Sequence, residues 1–420
     1  MVTRRILISG ASIAGPTLAY WLNAHGWSTT VIERLDTLRD DGQNIDVRGA
    51  GREVARRMGI EEAIRAASTG EVGAQFIDGD GDPIASFPAS KSESGGPTAE
   101  LEILRGQLSR IIVDRTRDGT EYIFGDEIVA LDDHDGGVTV TFAHGPTRTF
   151  DVVALAEGLR SRTRSLVFDG SDAVRELGLY TAYLTIPRTE SDTNWWRWYN
   201  AGRGRGITLR PDNVGTTRAT LSFLSDIRGL EDLDRDAVIT VLRRTFADAG
   251  WQAPRVLAAL DDAPLYFDAL GQARLPAWTS GRVALVGDAA HCSSPASGMS
   301  TSLAITGAYV LAGELAATDD HRVAFDRYEA VMRPYVDKAQ KLPPGAPRIA
   351  QPRTRAGLVL LNAVLKIAAS RLAHRLGGVA NALFSPPAGA IDLPTYSVTP
   401  DATSSAPVGP ELGQPNSSNV

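Results

Sequence analysis

The chain has 420 residues, 43% of them hydrophobic and 22% charged, a composition that predicts a globular protein of two or three domains and excludes a fibrous or disulfide-stapled chain. Its formal net charge of -7, without a basic block, excludes nucleic acid and anionic lipid as partners. The single cysteine, Cys292, the lack of metal-ligand spacing and the shortness of the apolar runs predict a cytoplasmic protein without disulfides, metal or membrane span.

The first 34 residues predict a β-α-β unit. The apolar strand ILIS precedes the turn GASIAG, a helix begins near Pro16, and STTVIER forms the second strand. In a dinucleotide-binding turn the first glycine allows the tight turn, the second lets the backbone approach pyrophosphate, and the third lets helix and strand pack closely. Gly10 and Gly15 occupy the first and third positions, and Ser12 stands at the second.

Two further features of this unit favour dinucleotide binding. Glu33 ends the second strand, where a carboxylate can bind the adenosine ribose. Ser12 adds only a hydroxymethyl group, so the N–H groups at the start of the helix can still face phosphate. A purely structural glycine turn is the alternative interpretation.

The middle of the chain changes from alternating helices and strands to a run of strands. After the β-α-β unit the predicted elements are a helix over 53–67, a hairpin over 74–87, a helix over 104–116 and three strands within 121–156. Residues 180–270 are strand-like and aromatic, with one helix over 236–249, and predict a second, sheet-based domain. A buried-strand pattern returns at RVALVGDAAH, so the first domain is completed from both ends of the chain.

The segment that follows this returning strand carries the most specific pattern. Its matching residues are Gly287, Asp288, Ala289, Ala290, His291, Pro295 and Gly298. This pattern resembles the flavin-contacting motif of class A FAD-dependent aromatic hydroxylases, which have the para-hydroxybenzoate hydroxylase fold. The stretches EILRGQLSRII and ALAEGLRSRTR resemble two further motifs of that family. Within it, the chain is similar to tetracycline-inactivating monooxygenases and to hydroxylases of aromatic polyketide pathways.

The resemblance implies an α/β fold in three parts. It places a Rossmann-like FAD-binding domain at 1–72, 99–175 and 281–340, and inserts a mostly antiparallel β-sheet substrate domain at 73–98 and 176–280. A C-terminal helical segment occupies 341–398, and its apolar helix over 355–376 is expected to pack in the core, cover the substrate side or join a partner subunit. The tail at 399–420 is expected to be disordered.

The resemblance also implies FAD and NAD(P)H as cofactors. Asp288 is expected to accept hydrogen bonds from ribityl hydroxyls, Arg105 to reach the pyrophosphate region, and the helix start at 298–301 to face the pyrimidine edge of the flavin. Glu157 stands where the family usually has aspartate and is a predicted contact to FAD or NAD(P)H, and Ser300 stands where it has a second glycine. The predicted FAD-binding residues are Gly10, Ser12, Ile13, Ala14, Gly15, Glu33, Arg34, Arg105, Gly287, Asp288, Pro295, Gly298, Met299, Ser300 and Thr301.

The implied activity is that of a monooxygenase. NAD(P)H would reduce FAD, O2 would add at C(4a), and the hydroperoxide would hydroxylate an aromatic or polyketide-like molecule or insert oxygen in a Baeyer-Villiger reaction. The flavin would carry this chemistry, so no catalytic side chain is predicted, and His291 and Cys292 are expected to pack in the turn after Asp288. Two alternatives remain: a flavoprotein of this fold acting as a non-redox cyclase or isomerase, and a binding protein for a hydrophobic small molecule.

The substrate side is predicted from the aromatic strand WWRWYN. Trp195, Arg197 and Tyr199 share one face of that strand, while Trp196, Trp198 and Asn200 share the other. The sequence leaves open which face lines a cavity, and ordinary sheet packing is equally consistent with the pattern. The predicted pocket residues are Asp46, Tyr183, Arg197 and Trp198. The expected partners are an aromatic small molecule and O2, with the protein a monomer or a homodimer.

Overall fold

The computed structural model describes residues 3–39, 42–89, 100–168, 173–343, 345–370 and 391–397. Its strands in chain order are β1 (Arg5–Ser9), β2 (Ser28–Glu33), β3 (Asn44–Asp46), β4 (Gly73–Ile77), β5 (Pro83–Pro88), β6 (Glu102–Leu104), β7 (Thr120–Phe124), β8 (Ile128–His134), β9 (Gly137–Phe142), β10 (Arg148–Phe150), β11 (Val152–Leu155), β12 (Val174–Pro187), β13 (Trp196–Gly202), β14 (Arg205–Pro211), β15 (Thr216–Leu224), β16 (Leu265–Ala273), β17 (Thr279–Ser280) and β18 (Val283–Leu285). Its α-helices are α1 (Ala14–Ala24), α2 (Gly49–Arg57), α3 (Glu61–Ala66), α4 (Arg105–Thr116), α5 (Arg164–Val167), α6 (Arg235–Phe246), α7 (Ala253–Ala258), α8 (Asp288–His291), α9 (Ser300–Ala317), α10 (His321–Ala339), α11 (Ala346–Ala350) and α12 (Arg355–Ala368).

A six-stranded sheet in the order β17-β18-β11-β1-β2-β7 forms the centre of the first part of the molecule. Its neighbouring strands are parallel except for the β17–β18 pair. Buried parallel strands are apolar along their whole length, and Ile6, Leu7 and Ile8 of β1 accordingly have no exposed surface. From β1 the chain first adds β2 on one side and later adds β11 on the other, so the order of strand addition changes direction at β1. Folds of this type bind ligands in the crevice that this change leaves at the carboxyl end of the strand.

A seven-stranded sheet in the order β16-β12-β15-β14-β13-β4-β5 forms the second part. Its neighbouring strands are antiparallel except for the β13–β4 pair. One face buries Ile207, Leu221 and their neighbours against α6 and α7. The end of β16 joins this sheet to the first part of the molecule, because Ala273 N donates to Cys292 O at 3.1 Å. The predicted α/β fold with a mostly antiparallel second sheet is confirmed.

Two predicted elements are each divided at a glycine in the structure. The helix expected over 53–67 is two helices, α2 and α3, separated at Gly59, whose φ is +69°. The first of the strands expected within 121–156 is likewise divided into β7 and β8 at Gly125, whose φ is +73°. A positive φ cannot continue either regular structure, and glycine adopts it without steric cost.

The C-terminal helix α12 covers the β5 end of the second sheet through Leu365 and Ala368. Four of its other apolar residues are exposed, and among them Val359 and Ile367 are 69% and 68% exposed. The remainder of the helix predicted over 355–376 and the tail predicted at 399–420 lie outside the described residues. No helix in the described part of the chain is both long enough and apolar enough to span a membrane.

Candidate cofactor and substrate site

Two glycines in the turn between β1 and α1 are packed so closely that no side chain fits at either position. Gly10 has a φ of +111°, and a Cβ added there would lie 2.6 Å from the carbonyl oxygen of Ala156. A Cβ on Gly15 would lie 2.0 Å from the carbonyl oxygen of Gly10. These are the tight-turn and close-packing positions that the sequence predicted, and both require the absence of a side chain.

The serine at the second position of the turn contributes a hydrogen bond. Arg105 Nη2 at the start of α4 donates to Ser12 Oγ at 3.0 Å. The Arg105 amide in turn donates to Gln43 O at 3.0 Å, which fixes the beginning of α4 beside the turn. Ser12 and Arg105 are therefore in contact, and the structure brings a guanidinium group to the place where a pyrophosphate would meet the backbone.

Glu33 holds the other side of the same turn. Its carboxylate accepts from the amides of Ala11 at 3.0 Å and Leu35 at 3.2 Å. The next residue, Arg34, is exposed beyond the end of β2. The carboxylate predicted to bind a ribose thus lies directly at the dinucleotide turn, within reach of a ligand placed on it.

The turn between β18 and α8 meets the start of α1. Gly287 has a φ of +65°, and a Cβ there would lie 2.8 Å from Cβ of Ala14. Asp288 follows and is half-buried. Burial raises the pKa of Asp288, and the positive charge of Arg105 opposes that shift. Glu33 contacts the turn at Ala11, and Gly287, which precedes Asp288, lies against Ala14 at the start of α1, so the two distant chain segments meet beside this turn.

Helix α9 begins next to Asp288 and presents free donors. The first turn of an α-helix has N–H groups without an intrahelical acceptor, and the first turn of α9 contains no acidic residue. Ser300 and Thr301 are half-buried and Gly298 is exposed, whereas the side chain of Met299 is in the core. Such a helix start stabilises negative charge, as on the pyrimidine edge of a reduced flavin.

Glu157 is fully engaged within the protein. Its carboxylate accepts from the hydroxyls of Ser9 at 2.6 Å, Ser161 at 2.7 Å and Thr163 at 2.6 Å, and from the amide of Thr163 at 3.2 Å. Arg164, which follows Thr163, donates at 3.0 Å to the carbonyl oxygen of Ala289, the residue after Asp288. The carboxylate of Glu157 thus joins the end of β1 to residues 161–163, and Arg164 joins the same loop to the segment that carries Asp288.

His291 and Cys292 lie in the core after Asp288, as the sequence predicted. Cys292 is buried, and burial raises the pKa of its thiol. His291 packs against Trp278, with ring centroids 5.2 Å apart, and its Nε2 lies 3.4 Å from Tyr328 Oη. Burial lowers the pKa of His291 from 6.5 to about 3. A thiol that stays protonated is a weak nucleophile, and an imidazole with so low a pKa is a weak base, so this pair is unsuited to nucleophilic catalysis.

The burial of His291 predicts an acid-sensitive contribution to folding. Between pH 6.5 and about 3 the unfolded chain protonates this imidazole and the folded chain does not. Stability should therefore fall as pH falls through this window, by up to about 1.4 kcal/mol per pH unit from this group. A His291→Gln variant should show a shallower loss of melting temperature on acidification, and the exposed His134→Gln serves as control. Parallel curves for wild type and His291→Gln would contradict this role.

The register of the second sheet separates the predicted pocket residues. Trp198 pairs with Thr208 on the face away from α6 and α7. Arg197 points to the opposite face, where it donates to Gly81 O at 2.6 Å and lies 5.3 Å from the centroid of the Trp251 ring. Arg197 and Trp198 cannot line one cavity, so we leave Arg197 out of the proposed pocket.

The two other predicted pocket residues, Tyr183 and Asp46, lie where the second sheet faces the first part of the molecule. Tyr183 shares its face with Trp198, and burial raises its pKa, with an electrostatic contribution from Cys292 in the turn after Asp288. Asp46 accepts from Arg48 Nη2 at 2.7 Å. The hydroxyl of Ser302 in α9 accepts from the amide of Arg48 and donates to its carbonyl oxygen, both at 3.1 Å. Tyr183 and Asp46 thus flank the region between Asp288, α9 and the second sheet.

Several residues of this region were missed by the sequence analysis. They are Ser9, Arg48, Glu71, Glu102, Ser161, Thr163, Arg164, Arg210 and Ser302. Most of their contacts join chain segments far apart in sequence, and no local spacing marks them. For four of these residues a signal existed, because Ser161, Thr163 and Arg164 lie in the stretch ALAEGLRSRTR and Glu102 in the stretch EILRGQLSRII, which carried the family resemblance.

The cleft as a whole fits an elongated dinucleotide. The glycines at positions 10 and 15 leave the backbone of the turn open to a ligand, and Arg105 supplies a cation beside it. Glu33 and Asp288 supply hydrogen-bond acceptors on the two sides of this turn. The start of α9 supplies donors at the far end. Together these groups match the chemical parts of FAD in order.

Comparison with known proteins agrees with this geometry. Residues 3–341 match the family model described as FAD binding domain, FAD_binding_3. A flavin-dependent monooxygenase from an unknown prokaryotic organism is 37% identical over 344 residues, covering 80% of this chain and 88% of that protein. The flavin-dependent monooxygenase eupH of Phoma sp is 34% identical over 402 residues, covering 88% and 93%.

Solved structures show the same fold. The crystal structure of tetracycline destructase Tet(51) superimposes with a TM-score of 0.77 at 30% identity, covering 94% of this chain and all of that one. Klebsiella pneumoniae HpxO complexed with FAD and uric acid superimposes with a TM-score of 0.70 at 22% identity, covering 91% and 97%, and supports the fold alone. The resemblance stated from the sequence motifs is confirmed, and the chain belongs to the FAD_binding_3 family of flavin-dependent monooxygenases.

Proposed function

We propose that this protein uses NAD(P)H and O2 to hydroxylate, or otherwise oxygenate, an aromatic small molecule held between the FAD cleft and the second sheet. The observation that carries the proposal is that the segments of Glu33 and Asp288 meet at the start of α1 and beside α9, next to the face of the second sheet that carries Tyr183. Such a cleft places a bound flavin next to an aromatic sheet face.

The residues of the cleft would divide the binding of FAD between them. Ser12 and Arg105 would hold the pyrophosphate, Glu33 the adenosine ribose and Asp288 the ribityl chain. The N–H groups at the start of α9 would stabilise charge on the pyrimidine edge. When bound, FAD would supply the redox chemistry for transfer of one oxygen atom of O2 to the substrate, with NAD(P)H as the source of electrons.

The side chains around the cleft would exclude water from the reaction. Tyr183 and Tyr266 stack with ring centroids 6.0 Å apart on the side of the cleft nearest Cys292. Trp196 and Trp198 continue the same face, with centroids 5.4 Å apart. Aromatic walls give an apolar surface and lose little conformational entropy on binding a planar ligand, which favours a dry site.

The test is the visible spectrum of the purified protein followed by anaerobic mixing with NADPH and with NADH. We expect a yellow protein whose flavin absorbance is bleached by one of these nucleotides, faster with an aromatic substrate, and oxygen uptake matched to oxygenated product once air is admitted. Bound flavin that neither nucleotide bleaches would instead indicate a non-redox cyclase or isomerase. Colourless protein that binds apolar small molecules would indicate a binding protein.

A further inference from the structure

The C-terminal part of the sequence differs in charge from the rest of the chain. Residues 341–390 contain seven lysine or arginine residues and no aspartate or glutamate. Since the whole chain has a net charge of -7, all other residues together carry -14. The prediction that anionic lipid is repelled was based on the total charge, and it does not apply to a surface formed by this basic segment.

Helix α12 lies within the basic segment and is apolar on two faces. Its inner face packs on β5, where Leu365 and Ala368 are buried together with Phe87. Its outer face carries four large aliphatic side chains, between 43% and 69% exposed, which we call the apolar stripe: Val359, Leu360, Val364 and Ile367. Residues at these spacings of three and four lie along one side of a helix. The inner face therefore holds α12 on the protein while the apolar stripe faces water.

Two cations lie along one edge of the apolar stripe. Arg355 precedes Val359 by four residues and Lys366 follows it by seven, and these spacings place all three on one side of α12. Both cations are exposed, and neither forms an ion pair with another residue that the structure describes. An apolar helix face bordered by Lys and Arg is the pattern of helices that lie at a membrane surface.

Two further cations precede the helix. Arg353 and Arg348 lie 3.1 Å and 3.6 Å from carboxylate oxygens of the same residue, Asp226, which is itself exposed. Two guanidinium groups and one carboxylate leave one positive charge at this end of α12. Positive charge therefore lies near both ends of the apolar stripe.

The occupant of this surface must be both apolar and anionic. Nucleic acid would pair with the cations but leave the aliphatic side chains in water. A symmetric contact with a second copy of the chain would bury the apolar stripe but bring like charges together, because both copies present the same patch. A bilayer that contains anionic phospholipids offers phosphates at the level of the cations and acyl chains beneath them. The charge and the apolar surface together favour the bilayer.

We propose that the apolar stripe of α12, together with Arg355 and Lys366, is a docking surface for anionic phospholipid bilayers. The helix lies in the plane of the bilayer surface and does not cross it, because its inner face remains packed on β5. The same bilayer repels the acidic remainder of the molecule, so the docked protein has α12 towards the lipid. This inference goes beyond the proposed function and does not depend on it.

The test is flotation of the purified full-length protein with two kinds of vesicle. One consists of phosphatidylcholine alone, and the other of equal parts of phosphatidylcholine and phosphatidylglycerol. At low salt we expect binding to the anionic vesicles to be at least about tenfold stronger, and we expect added salt to weaken it. No flotation with the anionic vesicles, or equal binding to both kinds, would overturn the proposal.

Two double variants separate the apolar contribution from that of charge. Val359→Ser with Ile367→Ser should weaken binding to the anionic vesicles about tenfold or more, because less aliphatic surface leaves water. Arg355→Gln with Lys366→Gln should weaken it about fivefold for each cation removed. The control is Val214→Ser, at a residue that is 55% exposed in the turn between β14 and β15, and it should bind as the wild type does. Unchanged binding in both double variants would also contradict the proposal.

Self-association would give a different set of results. Sedimentation equilibrium of the wild type without lipid is expected to show no dimer that depends on the apolar stripe. A dimer that dissociates in the Val359→Ser, Ile367→Ser variant would assign the surface to a second copy of the chain and overturn the lipid proposal. The melting temperature and flavin content of each variant serve as controls, and both should remain at the wild-type value because the substituted side chains are exposed.

Discussion

Replacing Gly15 with alanine is expected to abolish retention of FAD. The new methyl group would lie 2.0 Å from the carbonyl oxygen of Gly10 and 3.2 Å from a side-chain carbon of Ile8. Backbone cannot rotate away as a side chain can, so α1 must move from β1, at a cost of about 3 kcal/mol or more. The measurement is the flavin-to-protein absorbance ratio after gel filtration, with the melting temperature recorded in parallel.

The matched control for this substitution is Gly79→Ala in the β4–β5 hairpin. There the nearest atom to an added Cβ is Tyr199 Oη at 3.5 Å, an ordinary contact, and the backbone has no positive φ. We expect Gly79→Ala to keep its flavin. Normal flavin content in Gly15→Ala would show that the turn tolerates a side chain and that the close-packing account is wrong.

Replacing Glu157 with glutamine is expected to weaken both folding and FAD binding. The carboxylate accepts four hydrogen bonds, and an amide presents only one acceptor oxygen, so at least one buried donor loses its partner. Loss of a hydrogen bond to a charged group costs about 1.5–3 kcal/mol. Ser9 ends the strand before the dinucleotide turn, and Arg164, next to Thr163, contacts Ala289 after Asp288. Because the loss disturbs both sides of the cleft, we expect the dissociation constant of FAD to rise about tenfold.

Two comparisons distinguish this effect from a general loss of charge. Glu157→Asp keeps the carboxylate but shortens it by one methylene, and we expect FAD affinity between those of wild type and Glu157→Gln. Glu121→Gln removes a carboxylate at the outer edge of the same sheet, where it contacts Arg148 and Thr30, and should leave FAD affinity unchanged. If Glu157→Gln alters the KM for NAD(P)H while FAD affinity stays at the wild-type value, the residue contacts the nucleotide rather than positioning the cleft.

The cofactor side of the site followed from the sequence because its signals are local. Gly10, Gly15 and Glu33 lie within one β-α-β unit, and short-range geometry alone places them around one turn. Asp288 lies far along the chain, yet the strand-turn-helix pattern around it is also local. A buried parallel sheet then brings the carboxyl ends of its strands to one edge, so two local patterns meet without further information.

The role of Glu157 did not follow from its position in a motif. Its neighbours in sequence include Ser161 and Thr163, but Ser9 comes from β1, and the direction of the carboxylate depends on all three hydroxyls. The sequence predicted a ligand contact for this carboxylate but none of the contacts that it makes within the protein. Hydrogen-bond partners are decided by packing in three dimensions, which residue identity and spacing do not encode.

The sequence by itself determined the α/β alternation, the dinucleotide turn and the residues proposed to surround FAD, because these depend on periodicity and on backbone freedom over a few residues. Only the tertiary structure decided that Arg197 lies on the face of β13 towards α6 and α7 and Trp198 on the other face, which is the face proposed to line the cavity. It also decided that Arg210 is neutralised by Glu71 and Glu102, residues more than a hundred positions away. Strand alternation defines two faces but not their surroundings, and the energy of a charge depends on what packs around it.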